Sequence, residues 1–147
     1  MKFFTTEKLL TFSPESATLI AINERVGTTL HPSYVKVGEV TDPVGLLAKV
    51  EIEALLVPPN SQEGRFSNKG WVTIDRLDIA AFFNGQFVID FGEAISSLDV
   101  ARLITERTGI LFDERDFVEA VLTEQSNKLV ASSRSLRWVG ELAIVKP

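Results

Sequence analysis

Side chains that could carry chemistry are sparse in this chain of 147 residues. It contains no cysteine and one histidine, His31, which is followed at once by Pro32. A nucleophile pair of the Ser–His type would depend on His31 alone, and no G-x-S-x-G elbow supplies the serine. Zinc sites need clustered Cys or His ligands, which one histidine cannot provide. We therefore interpret His31 as a loop residue near the end of a helix.

One acidic stretch begins like a calcium-binding loop. In "DERDFVEAVLTE" Asp113 stands first and Glu124 twelfth, as in an EF-hand. The third and fifth positions, Arg115 and Phe117, offer no oxygen ligand of the required kind, and Val118 replaces the glycine of the sharp turn. The stretch is better interpreted as a charged turn that leads into a strand.

Two carboxylate pairs could perform acid–base work. Asp75 and Asp78 are close in sequence, and Asp90 and Glu93 flank a glycine. Glycoside hydrolysis needs two carboxyl groups at a fixed separation across a cleft. A small hydrolase or lyase is therefore an alternative function, and it requires a deep pocket that brings two of these side chains together.

Composition excludes several other classes of function. The formal charge is −5, which opposes broad electrostatic binding to nucleic acid or to anionic lipid. No Walker loop or dinucleotide fingerprint is present, and no apolar run is long enough to span a membrane. Glu7 and Lys8 interrupt the apolar N-terminus, so a signal peptide is not expected. We expect no cofactor, no metal, no nucleic-acid partner and no membrane partner.

Capping signals predict two helices. Ser13 is placed to begin the first helix and Gly27 to end it, while Ser96 or Ser97 begins the second and Gly109 ends it. Ser hydroxyls accept hydrogen bonds from the free amides of a first helical turn, and glycine adopts the left-handed conformation that ends many helices.

Alternation of apolar and polar residues predicts strands in the rest of the chain. The predicted strands are Tyr34–Val40, Leu46–Val57 after a turn at Asp42–Gly45, a strand that starts at Trp71, a strand through Phe117 and Leu122, and Leu129–Ser133 followed by Ser135–Val145 as a closing meander. Asn84 and Gly85 predict a tight turn, and residues 125–128 predict a hairpin turn. The expected fold is a single α+β domain over residues 1–147, an antiparallel sheet or sandwich of about six to eight strands with two packed helices.

The closing strand Ser135–Val145 shows two alternating sets of side chains. One set, which includes Leu136 and Trp138, is apolar or glycine throughout. The other set carries Arg137 and Glu141 and is expected to face water. This pattern predicts a strand that is integral to the sheet of the domain.

A long polar segment, Pro58–Gly70, is predicted to be an exposed loop, and an aromatic cluster follows it. Part of the cluster, which contains Trp71, Phe87 and Phe91, could lie at an interface, although core packing is the more common role of such residues. The candidate interface residues are Gln62, Gly64, Arg65, Phe66, Asn68, Phe82 and Phe83. We expect deletion of Gln62–Lys69 to leave folding intact and to weaken assembly.

Several short motifs, spread over residues 17 to 145, resemble a pattern in virion structural proteins of large tailed bacteriophages. The motifs are Asn23, Gly27 and Thr28 at a helix end, Val35–Gly38, Gly64–Phe66, Arg76–Ile79 and Thr108–Ile110, followed by "SLRWVGEL". The resemblance implies a non-enzymatic component present in many copies in the virion, after synthesis in the host cytoplasm.

Its implied partners are other virion structural proteins or further copies of itself, in head decoration, neck or collar, or tail or baseplate. A monomeric adaptor or immunity-type binding protein is a further alternative.

Overall fold

A computed structural model shows a mixed α+β architecture and describes residues 2–4, 10–26, 35–55 and 67–147. Its described residues form three helices and several small sheets. The elements are β1 (Lys2–Phe4), α1 (Pro14–Val26), β2 (Val35–Val44), β3 (Leu47–Leu55), β4 (Ser67–Asp75), β5 (Leu77–Asp78), α2 (Ile79–Phe82), β6 (Gln86–Val88), β7 (Ile95–Ser96), α3 (Ser97–Thr108), β8 (Val121–Leu122), β9 (Lys128–Val130), β10 (Trp138–Val139) and β11 (Glu141–Val145).

The largest sheet has the strand order β1-β4-β3-β2. Strands β2, β3 and β4 are antiparallel neighbours, and the short β1 joins β4 in parallel. The turn between β2 and β3 lies at Gly45 and Leu46, with Gly45 at a φ of 61°. The predicted turn at Asp42–Gly45 was therefore placed too early, because Asp42 to Val44 still belong to β2.

Strand β4 begins before the predicted end of the loop. Ser67, Asn68 and Lys69 pair with β3 along its backbone, so the predicted loop Pro58–Gly70 is wrong at its C-terminal end. Residues 56–66 lie outside the described part of the chain. Deletion of Gln62–Lys69 would remove these three paired residues, and we now expect it to weaken the sheet.

Both predicted helices are confirmed. Ser16 donates its backbone N–H to Ser13 Oγ at 3.3 Å at the start of α1. In α3, Asp99 donates to Ser96 Oγ at 3.1 Å, and Gly109 follows the helix at a φ of 77°. Gly27, the predicted end of α1, lies outside the described residues, as does His31.

Buried apolar side chains form two clusters, which we call the sheet core and the α3 core. In the sheet core, α1 packs on the inner face of the large sheet, and Leu136 joins from the C-terminal segment. The sheet core contains Leu19, Ile22, Val35, Val37, Ala48, Val50, Ile52, Ile74 and Leu136. The α3 core contains Leu10, Ile79, Ile89, Phe91, Val100, Ile104, Ile110, Leu122, Leu129, Trp138, Leu142 and Ile144.

The predicted closing strand is divided at Gly140. Strand β10 pairs in parallel with β5, whereas β11 pairs in parallel with β6 and antiparallel with β9. Gly140 has a φ of 92°, and a Cβ there would lie 3.1 Å from Asp78 Oδ1, so glycine allows the change of direction. The meander is confirmed only for β9 and β11.

Two other segments differ from their predictions. The strand expected through Phe117 and Leu122 is reduced to β8, preceded by a single bridge between Phe117 and Ala131. Asn84 and Gly85 do form a turn, but it ends the short helix α2, with Gly85 N–H donating to Ala80 O at 2.7 Å.

Replacement of Trp138 tests the assignment of the α3 core. The Trp138 side chain is fully buried, whereas Trp71 is 59% exposed. We expect Trp138→Ala to lower the free energy of unfolding by about 3–5 kcal/mol because it leaves a large cavity, and Trp71→Ala to lower it by less than about 1 kcal/mol. Urea unfolding followed by circular dichroism measures both, and equal losses would contradict this assignment.

Candidate functional site

Two arginines are buried among backbone carbonyl groups. Arg137 is 1% exposed and donates through Nη1 to Leu10 O (3.3 Å) and Leu111 O (3.0 Å), and through Nη2 to Phe12 O (2.9 Å). Burial lowers its pKa from the usual value. The expectation that Arg137 faces water is therefore wrong. No local signal in the sequence indicates this burial, because an alternating strand places every water-facing residue between two apolar ones.

The second buried arginine, Arg76, binds other irregular segments. Its Nε donates to Leu46 O at 3.2 Å, and its Nη1 donates to Ser133 O at 3.4 Å and to Ser135 O at 3.3 Å. Arg76 thus fixes the turn after β2 to the segment that precedes β10. Burial also lowers its pKa.

A buried carboxyl group, Asp116, completes this polar region. Ser135 Oγ donates to Asp116 Oδ1 at 2.7 Å, and Asp113 N–H donates to Asp116 Oδ2 at 2.8 Å. Ser135 Oγ in turn accepts from Trp138 N–H at 2.9 Å. Burial, with a further contribution from the charge of Asp113, raises the pKa of Asp116 to about 7. Because each oxygen already accepts a hydrogen bond, this geometry favours a structural role over proton transfer to a ligand.

The four carboxylates proposed for catalysis do not form a site in the described structure. Asp78 caps α2 by accepting from Ala80 N–H at 3.0 Å. Asp75 belongs to β4, and Asp90 is exposed. Glu93 lines a shallow depression with Glu124 and Lys146. Of three cavities lined by described residues, one contains Glu93 and the other two contain none of these four side chains.

The predicted interface residues are only partly within the described chain. Gln62, Gly64, Arg65 and Phe66 lie outside it. Asn68 lies in β4, where its backbone pairs with Ala54. Phe82 and Phe83 are half-buried and pack against each other and against Trp138, with ring centroids 4.9, 5.5 and 6.2 Å apart. These contacts place both rings beside the α3 core, and their part in an interface stays a prediction.

The outer face of the large sheet presents a tryptophan among charged residues. Trp71 on β4 is directly opposite Glu51 on β3, and Thr73 is opposite Lys49. Opposed residues of an antiparallel pair share a face, so these four side chains lie on one surface. Trp71 is 59% exposed because Val72 and Ile74, on the other face, pack with the sheet core. We call Lys49, Glu51, Trp71 and Thr73 the Trp71 face.

A depression of about 300 Å³ adjoins Glu51 of the Trp71 face. Its lining includes Lys36, Gly38 and Glu39 of β2 as well as Glu51 and Glu53 of β3. The register of β2 shifts between Val37 and Val40, and a Cβ on Gly38 would lie 3.1 Å from Glu51 O. The β-bulge and the glycine therefore shape this depression.

The described part of the chain shows neither a cluster of metal ligands nor a membrane-spanning helix. Its residues contain no group of three or more side chains that could hold a metal ion. No helix among them is long and apolar enough to cross a membrane.

Comparison with known proteins identifies a family. A family model described as "Family of unknown function (DUF7941)" matches residues 18–145, and the chain belongs to this family. No curated protein and no solved structure matches the chain.

The buried carboxyl of Asp116 predicts a dependence of stability on pH. Its pKa in the folded chain is about 7, against roughly 3.9 in an unfolded chain. The folded state therefore holds the proton more tightly, so the contribution of Asp116 to stability is largest at low pH, falls by up to about 1.4 kcal/mol per pH unit between roughly pH 4 and pH 7, and levels off above pH 7. The raised pKa of Asp113 acts in the same direction.

Urea unfolding from pH 5 to pH 8 measures this dependence, and Asp116→Asn should reduce it. Asp90→Asn, at an exposed position, is the matched control and should preserve it. Carboxyl ¹³C NMR of the unmodified chain gives an independent measurement. An Asp116 signal that titrates near pH 4 would contradict the assignment even if Asp116→Asn fails to fold.

Proposed function

We propose that this member of the DUF7941 family is a non-enzymatic structural protein of a phage virion that acts through protein–protein contacts. The resemblance of its motifs to virion proteins of large tailed phages supports the virion assignment. Its partners are other virion structural proteins or further copies of the chain. A sandwich arrangement of the sheets and a single domain over residues 1–147 also stay predictions.

The exposed ring of Trp71 is the observation that carries the proposal of protein contacts. Tryptophan is enriched among the residues that dominate binding energy at protein interfaces. Here it projects from a regular strand, whose backbone pairs with β3 throughout, so the ring is held on a rigid support. The neighbouring Lys49 and Glu51 provide the charged surroundings that are typical of an interface rim.

Contacts through the face of the sheet are better supported than contacts through its edge. Strands β1 and β2 are the two edges of this sheet among the described residues, and β1 is only 3 residues long. Strand β2 is longer, but its register shifts twice. It also contains Pro43, and Asp42 has a φ of 50°. Bulges and prolines of this kind discourage pairing with another strand. Assembly through edge strands is thus less favoured than assembly through the Trp71 face.

One observation favours the alternative of a small hydrolase or lyase. Asp113 and Asp116 have raised pKa values, and such groups concentrate at active sites. The fully buried Asp116 and its two hydrogen bonds argue for the structural role. We therefore keep the non-enzymatic function as the proposal.

Virion composition tests the proposal directly. Mass spectrometry of purified virions should detect the chain in many copies per particle, and its absence from virions would overturn the virion assignment. Size-exclusion chromatography with light scattering should show a discrete oligomer or binding to particles.

Trp71→Ala tests the contact surface. Because the ring is mostly exposed, we expect the variant to fold normally but to lose incorporation into virions, as loss of an anchor residue costs about 2 kcal/mol or more of binding energy. Thr73→Ala, on the same face of the same strand, is the matched control and should be incorporated normally. Normal copy number for Trp71→Ala would rule out the Trp71 face as the essential contact.

A further inference from the structure

A cavity of about 210 Å³ lies beside the start of α3. Its apolar wall consists of Leu98, Ala101 and Phe117, and its remaining lining consists of Ser97, Asp113, Glu114 and Glu119. Pockets for drug-sized ligands and cofactors are usually about 300–1,000 Å³. This cavity is smaller and therefore suits a single side chain better than a whole cofactor.

The wall of the cavity is fixed by backbone hydrogen bonds. Ser97 N–H donates to Ala120 O at 2.8 Å, and Ala120 N–H donates to Ser97 Oγ at 3.1 Å. Phe117 packs against Phe112 with ring centroids 5.0 Å apart. The cavity is thus preformed, which reduces the entropy lost when a group enters it.

Exposed apolar side chains lie on the segments that line the cavity, or pair with them. Leu98 is 73% exposed, Val118 48% and Val121 64%. Val118 follows Phe117 in sequence, and Val121 pairs with Ser96, so both lie near residues of the lining. Exposed apolar side chains such as Leu98 at a cavity are a feature of protein-binding sites.

The charges of the lining determine what kind of group fits. The lining contains three carboxylates and no basic residue. Neither Glu114 nor Glu119 forms an ion pair with another described residue, and the nearby Arg115 and Arg134 pair with Glu15 and Glu39. The lining itself therefore presents only negative charge to an incoming cation, beside an apolar wall, and nearby Arg115, Arg134 and Arg137 offset part of that charge.

We propose that this cavity binds an arginine side chain of a partner protein. A guanidinium group has a rigid fork of N–H donors that can donate hydrogen bonds to two carboxylates at once. Its flat face can also pack against an aromatic ring such as that of Phe117. Lysine offers one compact charge and neither of these contacts. A second copy of this chain fits less well, because its own formal charge is −5 and the cavity repels negative surfaces.

Peptide titration tests this proposal on the full chain. The probe is the blocked pentapeptide acetyl-Gly-Gly-Arg-Gly-Gly-amide, and the comparison peptides carry lysine or neutral citrulline at the third position. In ¹H–¹⁵N NMR spectra we expect the arginine peptide to shift the amide signals of Leu98, Ala101 and Phe117 in a saturable manner. The lysine peptide should bind more weakly, and the citrulline peptide should not bind.

Charge-matched variants distinguish binding in this cavity from general electrostatic attraction between the peptide and the acidic chain. Glu114→Gln with Glu119→Gln should weaken arginine binding about tenfold. Glu24→Gln with Glu106→Gln, two exposed residues outside the lining, changes the net charge equally and should leave binding unchanged. Leu98→Ala removes apolar wall without a change of charge and should also weaken binding.

Three outcomes would overturn the proposal. The first is that the citrulline peptide binds as tightly as the arginine peptide, and the second is that Glu24→Gln with Glu106→Gln weakens binding as much as Glu114→Gln with Glu119→Gln. The third is that the chain forms a dimer which the variant Glu114→Gln with Glu119→Gln no longer forms, because a second copy would then be the occupant. This cavity is separate from the Trp71 face, so peptide binding and virion incorporation can succeed or fail independently.

Discussion

Two guanidinium groups that stay charged inside the protein constrain the whole structure. Arginine is not deprotonated in proteins, so Arg76 and Arg137, which are 3% and 1% exposed, need acceptors at their buried N–H groups. Most of those acceptors are backbone carbonyls of irregular segments, such as Leu10, Phe12 and Leu111. These carbonyls lie outside the strands, so the arginines give the irregular segments an ordered position.

Arg137, which needs hydrogen-bond acceptors in the interior, also lies between the two apolar cores. Leu136 belongs to the sheet core and Trp138 to the α3 core, so Arg137 occupies the position where the chain passes from one to the other. Ser135 and Asp116 hold this passage through the hydrogen bonds of Ser135 Oγ to the backbone of the following residues. Asp116 therefore lies at the junction of the two cores.

Local signals predicted the local structure, and non-local contacts determined the rest. The caps Ser13, Ser96 and Gly109 were readable because capping depends on a few adjacent residues. Arg137 was misassigned because alternation assumes one continuous strand with a dry and a wet face, whereas the break at Gly140 places its two halves in different sheets. The Asp116–Ser135 pair joins residues 19 positions apart, which no periodic pattern reveals. The strand that starts at Trp71 was predicted, but which of its faces is exposed was not, since that follows from the packing of Val72 and Ile74 with the sheet core.

The Trp71 face and the cavity beside α3 differ in the signs of the charges that they carry. The Trp71 face carries both signs of charge, with Lys49 beside Glu51, so two copies of it can meet without net repulsion. The cavity beside α3 carries only carboxylates, so it disfavours another copy of this acidic chain and favours a basic partner. The distribution of charge thus differs between the two surfaces, while the buried arginines hold the irregular segments through their backbone carbonyls.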